Sequence, residues 1–184
     1  LIKNGKILAV GWEKGLKKKV KGSKDIVDLE GRLIIPGLAD AHLHFLGYAL
    51  YKSRLNLRNI ESIEELKEAL KDFAKKCRSR WIIGRGWDQD KFREGRFPTR
   101  WDIDEVVSDS PVILVRVCGH VAVTNTVALK LAHIDMDTPD PAQGIIGRDE
   151  DGTLNGLLFE EAISLVYKVI PPPCIEEKKN AMIE

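Results

Sequence analysis

Two histidines flanking a single leucine, His42 and His44 around Leu43, are the side chains of this 184-residue chain best spaced to hold a metal ion. Successive side chains of a strand point to opposite faces, so residues 42 and 44 would emerge together and Leu43 away from them. Two imidazoles on one face can reach one divalent cation. Asp40 shares that face and could orient one ring through its second nitrogen. The plain alternative is a surface strand with two solvated histidines. The context favours the ligand reading: the pair ends an apolar run from Leu33 to Ala41 that carries a Pro36-Gly37 break and the aspartate.

Other residues of interest sit where strands are expected to end. Glu160 follows Leu157-Leu158-Phe159, at the point where a strand would give way to a helix. Functional groups of parallel α/β folds collect at the carboxyl ends of strands, which makes Glu160 a candidate metal ligand. An ordinary first-turn glutamate favoured by the helix dipole explains it equally well, and Glu161 would serve that purpose too. His120, after Cys118-Gly119, is a candidate contact to substrate or to a metal-bound oxygen; a core imidazole bonded to backbone is the alternative. Trp87 and Asp88 could form part of a pocket wall, although a tryptophan at a strand end more often belongs to a core. Asn125 reads as a helix cap, His133 as structural, and Cys118 as a buried small hydrophobe. Gly84-Arg85-Gly86 lacks a third glycine and a following helix, so it carries no dinucleotide motif.

These residues need a frame. Asn4-Gly5 between Leu1-Ile2 and Ile7-Leu8 is a type I′ hairpin signal. Short apolar strands are expected over Ile7 to Trp12, at Val20, over Ile26 to Leu29 and over Leu33 to Ile35, in the manner of a β-sandwich lobe. Ser62-Ile63-Glu64-Glu65 is a capping box. The helix it opens places Ile63, Leu66, Leu70, Phe73, Ala74 and Cys77 on one stripe. Trp81 to Gly84 and Pro111 to Val117 read as strands, the latter buried. A short helix is expected over Ala122 to Ala132, a long loop over Asp135 to Gly152, and a helix from near Glu161 to Ile170, ended by Pro171-Pro172-Pro173. Strands alternating with helices imply α/β layers.

Composition narrows the function classes. The net charge of +1 gives no support to a nucleic-acid or acidic-membrane partner. Lys17-Lys18-Lys19 reads as a solvated tip. No apolar stretch approaches the roughly 18 residues that span a bilayer. Three separated cysteines, Cys77, Cys118 and Cys174, make no zinc spacing, and a reducing cytoplasm is expected. Abundant lysine and glutamate with scarce glutamine lean towards a thermophilic source. The chain begins at Leu1 in what reads as mid-strand and ends at Glu184 inside an amphipathic segment without a stop signal. It therefore reads as a fragment of a longer protein.

Taken in order, several segments resemble the amidohydrolase superfamily, and more narrowly amidohydrolase family three in the branch that includes N-substituted formamide deformylase. They are Asn4-Gly5-Lys6-Ile7; Pro36-Gly37-Leu38-Ala39-Asp40-Ala41-His42-Leu43-His44; Trp81-Ile82-Ile83-Gly84-Arg85-Gly86-Trp87-Asp88; and Pro98-Thr99-Arg100-Trp101-Asp102-Ile103-Asp104. Gly119-His120 with Asn125 and Ala128-Leu129, Thr138-Pro139-Asp140-Pro141 and Gly156-Leu157-Leu158-Phe159-Glu160 complete the series.

The resemblance implies an α/β fold: an incomplete (β/α)₈ metal-dependent-hydrolase barrel with part of a small β-sandwich lobe. Residues 1–35 would belong to the lobe and 36–184 to the barrel, with an insertion within about 54–150. It further implies one or two divalent metals, zinc foremost, held by His42, His44 and Glu160, with His120, Trp87 and Asp88 near the substrate. A bound Zn²⁺ would acidify water towards a pKa of ~7 for attack on an amide-type carbon. An aspartate from the last barrel strand would move the proton. Such a barrel needs about 250 residues, so that aspartate and two later histidine ligands are expected beyond Glu184, and no catalytic base is assigned. The expected partners are a small amide-type substrate and the rest of the barrel, with homo-oligomerisation left open. Two alternatives stand beside this reading: a non-catalytic metal-binding fragment, inactive alone, and a metal-dependent hydrolase of C–O or P–O bonds.

Overall fold

In a computed structural model, residues 1–19, 25–77 and 79–183 are described, and they fall into two compact units, Leu1–His42 and Leu43–Glu184. The strand expected at Val20 lies outside the described residues.

In the first unit, β1 (Ile2–Lys3) and β2 (Lys6–Ile7) pair antiparallel around Asn4 and Gly5, whose φ values of 52° and 72° are those of the expected type I′ turn. Beyond it the expectation of strands fails. A short helix, α1 (Glu13–Lys17), follows the hairpin, and Ile26 to Leu29 and Leu33 to Ile35 form no strand. None of the described residues of this unit is buried. A two-stranded ribbon cannot cover its own apolar face, so a sandwich needs a second sheet that these residues do not make.

The second unit is built on a six-stranded sheet. Helix α2 (Phe45–Lys52) leads into β3 (Leu55–Asn56), α3 (Ile63–Lys76) and β4 (Ile82–Trp87); α4 (Arg100–Asp104) precedes β5 (Val112–Arg116). The chain continues through β6 (Val121–Thr124), α5 (Thr126–Leu131), β7 (Gly144–Arg148), β8 (Leu154–Glu160), α6 (Ala162–Tyr167) and α7 (Ile175–Ile183). The strand order is β3-β4-β5-β6-β8-β7. The first three strands are parallel, and β6 reverses against β5. Because β8 reverses again against β6, it runs parallel to β5, while β7 is antiparallel to β8. This is the expected α/β layer, in mixed form, and no closed barrel is formed by the described residues.

Sequence pattern explains the layers. In β5, Val112 and Leu114 pack with Leu57, Leu66, Leu70 and Trp87 on one face, and Ile113 and Val115 with Ala128, Leu129, Ile163 and Val166 on the other. A strand buried on both faces reads as an unbroken apolar run, as this one does. Ser62 caps α3 as expected, its Oγ accepting the Glu65 amide at 3.1 Å. The return bond is shifted: Glu65 accepts from the Glu61 amide, and the Ile63 amide goes to Glu94. Residues 122–124 belong to β6 rather than to a helix, because Ala122, Val123 and Thr124 pair with Val115, Leu114 and Ile113 of β5, and valine and β-branched threonine suit a strand. The long loop expected over 135–152 contains β7. Gly156, inside β8, has a φ of +87°, and a Cβ there would stand 2.4 Å from the Thr124 carbonyl oxygen.

Candidate active site

Strand directions decide which groups can meet. The carboxyl ends of β3, β4, β5 and β8 and the start of β6 lie along one edge of the sheet. That edge carries Asn56, Trp87-Asp88, Arg116, His120 and Glu160.

The structure brings His120 and Glu160 together. Val121 is paired with Phe159, so the residue entering β6 and the residue leaving β8 are neighbours. The Glu160 amide donates to the His120 carbonyl at 2.9 Å, and Glu160 Oε2 lies 2.9 Å from His120 Nδ1. The hydrogen bond to that carboxylate, and then its charge, hold the imidazole pKa above the usual histidine value. Both side chains are open to solvent. Glu160 has a φ of 52°, a left-handed conformation unusual for a residue with a side chain. Such backbone is retained where the surroundings fix it, often at functional sites. Glu160 precedes α6 as the last residue of β8, and it does not lie in the helix's first turn.

Asp88 Oδ1 accepts from Arg116 Nη2 at 2.7 Å, and Arg116 also reaches Gln89 Oε1 at 2.6 Å and Asp90 Oδ2 at 2.9 Å. Asp88 lines a cleft of about 130 Å³ with Arg58 and Lys91. Trp87 is not on a pocket wall. It is fully buried, its indole N–H donates to the Leu114 carbonyl at 2.8 Å, and Phe97 meets its ring edge-on. Its polar atom is thus satisfied inside the core.

His42 and His44 do not lie on a strand. The His42 amide donates to Asp40 Oδ1 at 2.9 Å, so one oxygen of Asp40 closes a local turn on the backbone. His44 is the residue before α2, with its carbonyl accepting the Tyr48 amide at 2.9 Å. Both histidines are exposed. Imidazole and carboxylate are the donor types that suit zinc and related divalent ions. Among the described residues, however, no three His, Cys, Asp or Glu side chains are grouped to hold one.

Two groups read differently in the structure. Cys118 is exposed rather than buried. Desolvation disfavours its thiolate, but the Arg116 guanidinium and the amides of His120 and Val121 outweigh that and lower its pKa. Arg116 was not singled out in the sequence, yet it organises the Asp88-Gln89-Asp90 segment. A lone charge closing the apolar run Val112 to Val115 is the signal that could have found it. Asn125 caps α5 as expected, its Oδ1 accepting the Ala128 amide at 3.1 Å.

A description of the amidohydrolase family matches residues 25–184. The chain belongs to the amidohydrolase family. Among its amidohydrolase relatives, YtcJ of Bacillus subtilis is 34% identical over 93% of the chain and 33% of its own length. N-substituted formamide deformylase of Arthrobacter pascens is 30% identical over 91% of the chain and 31% of its own length. The crystal structure of an uncharacterized metal-dependent hydrolase from Pyrococcus horikoshii superposes with a TM-score of 0.58 at 33% identity, over 98% of this chain and 34% of that one. The chain thus spans about a third of the length of the relatives it matches.

Proposed function

We propose that the protein to which these residues belong is a metal-dependent hydrolase that cleaves the C–N bond of a small amide-type substrate. The observation that carries this reading is Glu160, a carboxylate in left-handed backbone at the carboxyl edge of the sheet, tied to His120. Membership of the amidohydrolase family and the likeness to N-substituted formamide deformylase and to a metal-dependent hydrolase support it.

By the family resemblance, His42 and His44 would supply imidazole ligands to a divalent ion, zinc foremost, and Glu160 would supply a carboxylate ligand. The remaining ligands and the proton-transferring aspartate come from parts of the fold that this chain does not span. When bound, the ion supplies Lewis-acid polarisation of a carbonyl and acidification of water. The chain's own contribution is positioning. His120, fixed by its carbonyl and its ring, presents an N–H towards a substrate oxygen. Arg116 holds Asp88 at the adjoining strand end, and Trp87 seals the edge from below. The three cysteines are free, which suits a reducing cytoplasm.

The test is release of amine from N-substituted formamides and N-acetyl amines by the full-length protein, before and after exhaustive chelation. The expected result is turnover that disappears with the metal and returns with added zinc. Turnover that survives complete metal removal, or a preference for esters or phosphoesters, overturns the reading.

A further inference from the structure

On the same sheet edge, a second cleft of about 110 Å³ opens between the end of α2 and the β3–β4 pair. Its lining includes Tyr51, Lys52, Arg54, Asn56 and Arg85, and no carboxylate. The surroundings do not neutralise these cations: among the described residues, Lys52, Arg54 and Arg85 form no ion pair and no side-chain hydrogen bond. Elsewhere in the second unit Lys67, Arg96, Arg116 and Arg148 are each matched by a carboxylate, whereas isolated cations such as Lys130 and Lys168 form no ion pair among the described residues. What sets this cleft apart is that three such cations line one recess. The last turn of α2 favours a cation at Lys52 through the helix dipole, but that argument does not reach Arg54 or Arg85.

The cleft is held by backbone. Asn56 is paired with Arg85, the Leu57 amide donates to the Arg85 carbonyl at 2.9 Å, and Asn56 Oδ1 accepts the Arg58 amide at 3.0 Å. With its oxygen so engaged, Asn56 keeps its NH₂ as a donor. Arg85 also reaches along the edge. A side chain at residue 119 would stand 3.2 Å from Arg85 Nη2, so the guanidinium lies against Gly119, next to His120.

We propose that this cleft binds an oxyanion through Lys52, Arg54 and Arg85, and so favours substrates bearing a carboxylate or phosphate group. Guanidinium forks match both groups bidentately, and the space suits a group of that size. The selection of substrate rests on the function proposed above; the binding of an anion does not.

The experiment is a titration of the ¹⁵N-labelled full chain, at ionic strength fixed with chloride, using sodium phosphate, sodium acetate and neutral acetamide. Saturable shifts of the Arg85 side chain and the Gly119 amide are expected with phosphate, acetate or both, and none with acetamide. Saturation by one anion alone identifies the substrate's group. Arg54→Met and Arg85→Met should each weaken binding about tenfold, and Lys130→Met, a change on exposed α5 surface, should not. No saturation by either anion on the unaltered chain, or identical shifts from chloride, overturns the proposal whether or not the variants fold. Metal-dependent turnover without anion binding would sink this inference alone. Anion binding without turnover would sink the proposed hydrolase instead.

Discussion

Glu160 and His120, forty positions apart, are joined twice: amide to carbonyl at 2.9 Å and carboxylate to imidazole at 2.9 Å. The backbone bond sets the register of β6 against β8 and the side-chain bond uses it. The carboxylate raises the His120 pKa. By linkage, a raised folded pKa gives stabilisation that is complete below the unfolded histidine value of about 6.5 and is lost as pH rises through the folded value. The pair is largely exposed, so the effect on stability is small. Following ring protons by NMR, His120 should titrate at higher pH than in Glu160→Gln. Identical titration in the two proteins would show that the carboxylate does not engage the ring in solution.

Asp102 should govern a separate, acid-side loss. Burial opposes its ionisation, but Arg96 and the amide and hydroxyl of Thr99 overcome this and lower its pKa. The sign is reversed: stabilisation is present above the unfolded aspartate value of about 3.9 and disappears as pH falls through the lower folded value. Thermal unfolding between pH 5 and 2 should therefore decline less steeply in Asp102→Asn than in the parent. Equal slopes would remove Asp102 from the acid transition.

Asn125 anchors more than a helix. Its Oδ1 accepts from Val112 and Ala128, and its Nδ2 donates to the carbonyls of Val107 and Ser110. The side chain is completely buried. Asn125→Ala strands these groups and should cost about 3 kcal/mol in denaturant unfolding. Asn125→Asp should be no better, since it sets a carboxylate against two carbonyls. A loss below about 0.5 kcal/mol, the usual range of a surface change, would refute this role.

Cys118 should react faster than Cys77 with iodoacetamide near neutral pH, since it is exposed and its thiolate is stabilised by Arg116, whereas Cys77 is half-buried. Mass-spectrometric mapping of partial labelling checks the order. Arg116→Gln should slow Cys118 selectively; labelling of Cys118 no faster than Cys77 would contradict the assigned environment.

The sequence made some of this legible and hid the rest for physical reasons. Helix α3 and strand β5 declare themselves because burial imposes periodicity, 3.6 residues in one and continuity in the other. The Asn4-Gly5 turn and the Asn125 cap follow from local backbone chemistry. Strand β6 was hidden because four residues cannot distinguish a strand from the first turn of a helix, and its identity comes from pairing with β5. Helix α4 was hidden inside a charged segment, although Thr99 and Asp102 form a capping box. The nearness of His120 to Glu160 depends on two reversals of strand direction, which no local pattern encodes. Trp87 was ambiguous until Leu114 supplied its partner, because an indole serves a core and a pocket equally well.

The two-sided covering of β5 bears on how the molecule opens. Amide protons of Ile113 and Leu114 can meet solvent only if the layers above and below the sheet come apart together, so their exchange reports the whole unit unfolding. The amides of α2, where Ala49 is the lone buried side chain, need only a local fluctuation. Helix α2 can therefore open on a fast clock while β5 stays closed for as long as the unit is folded.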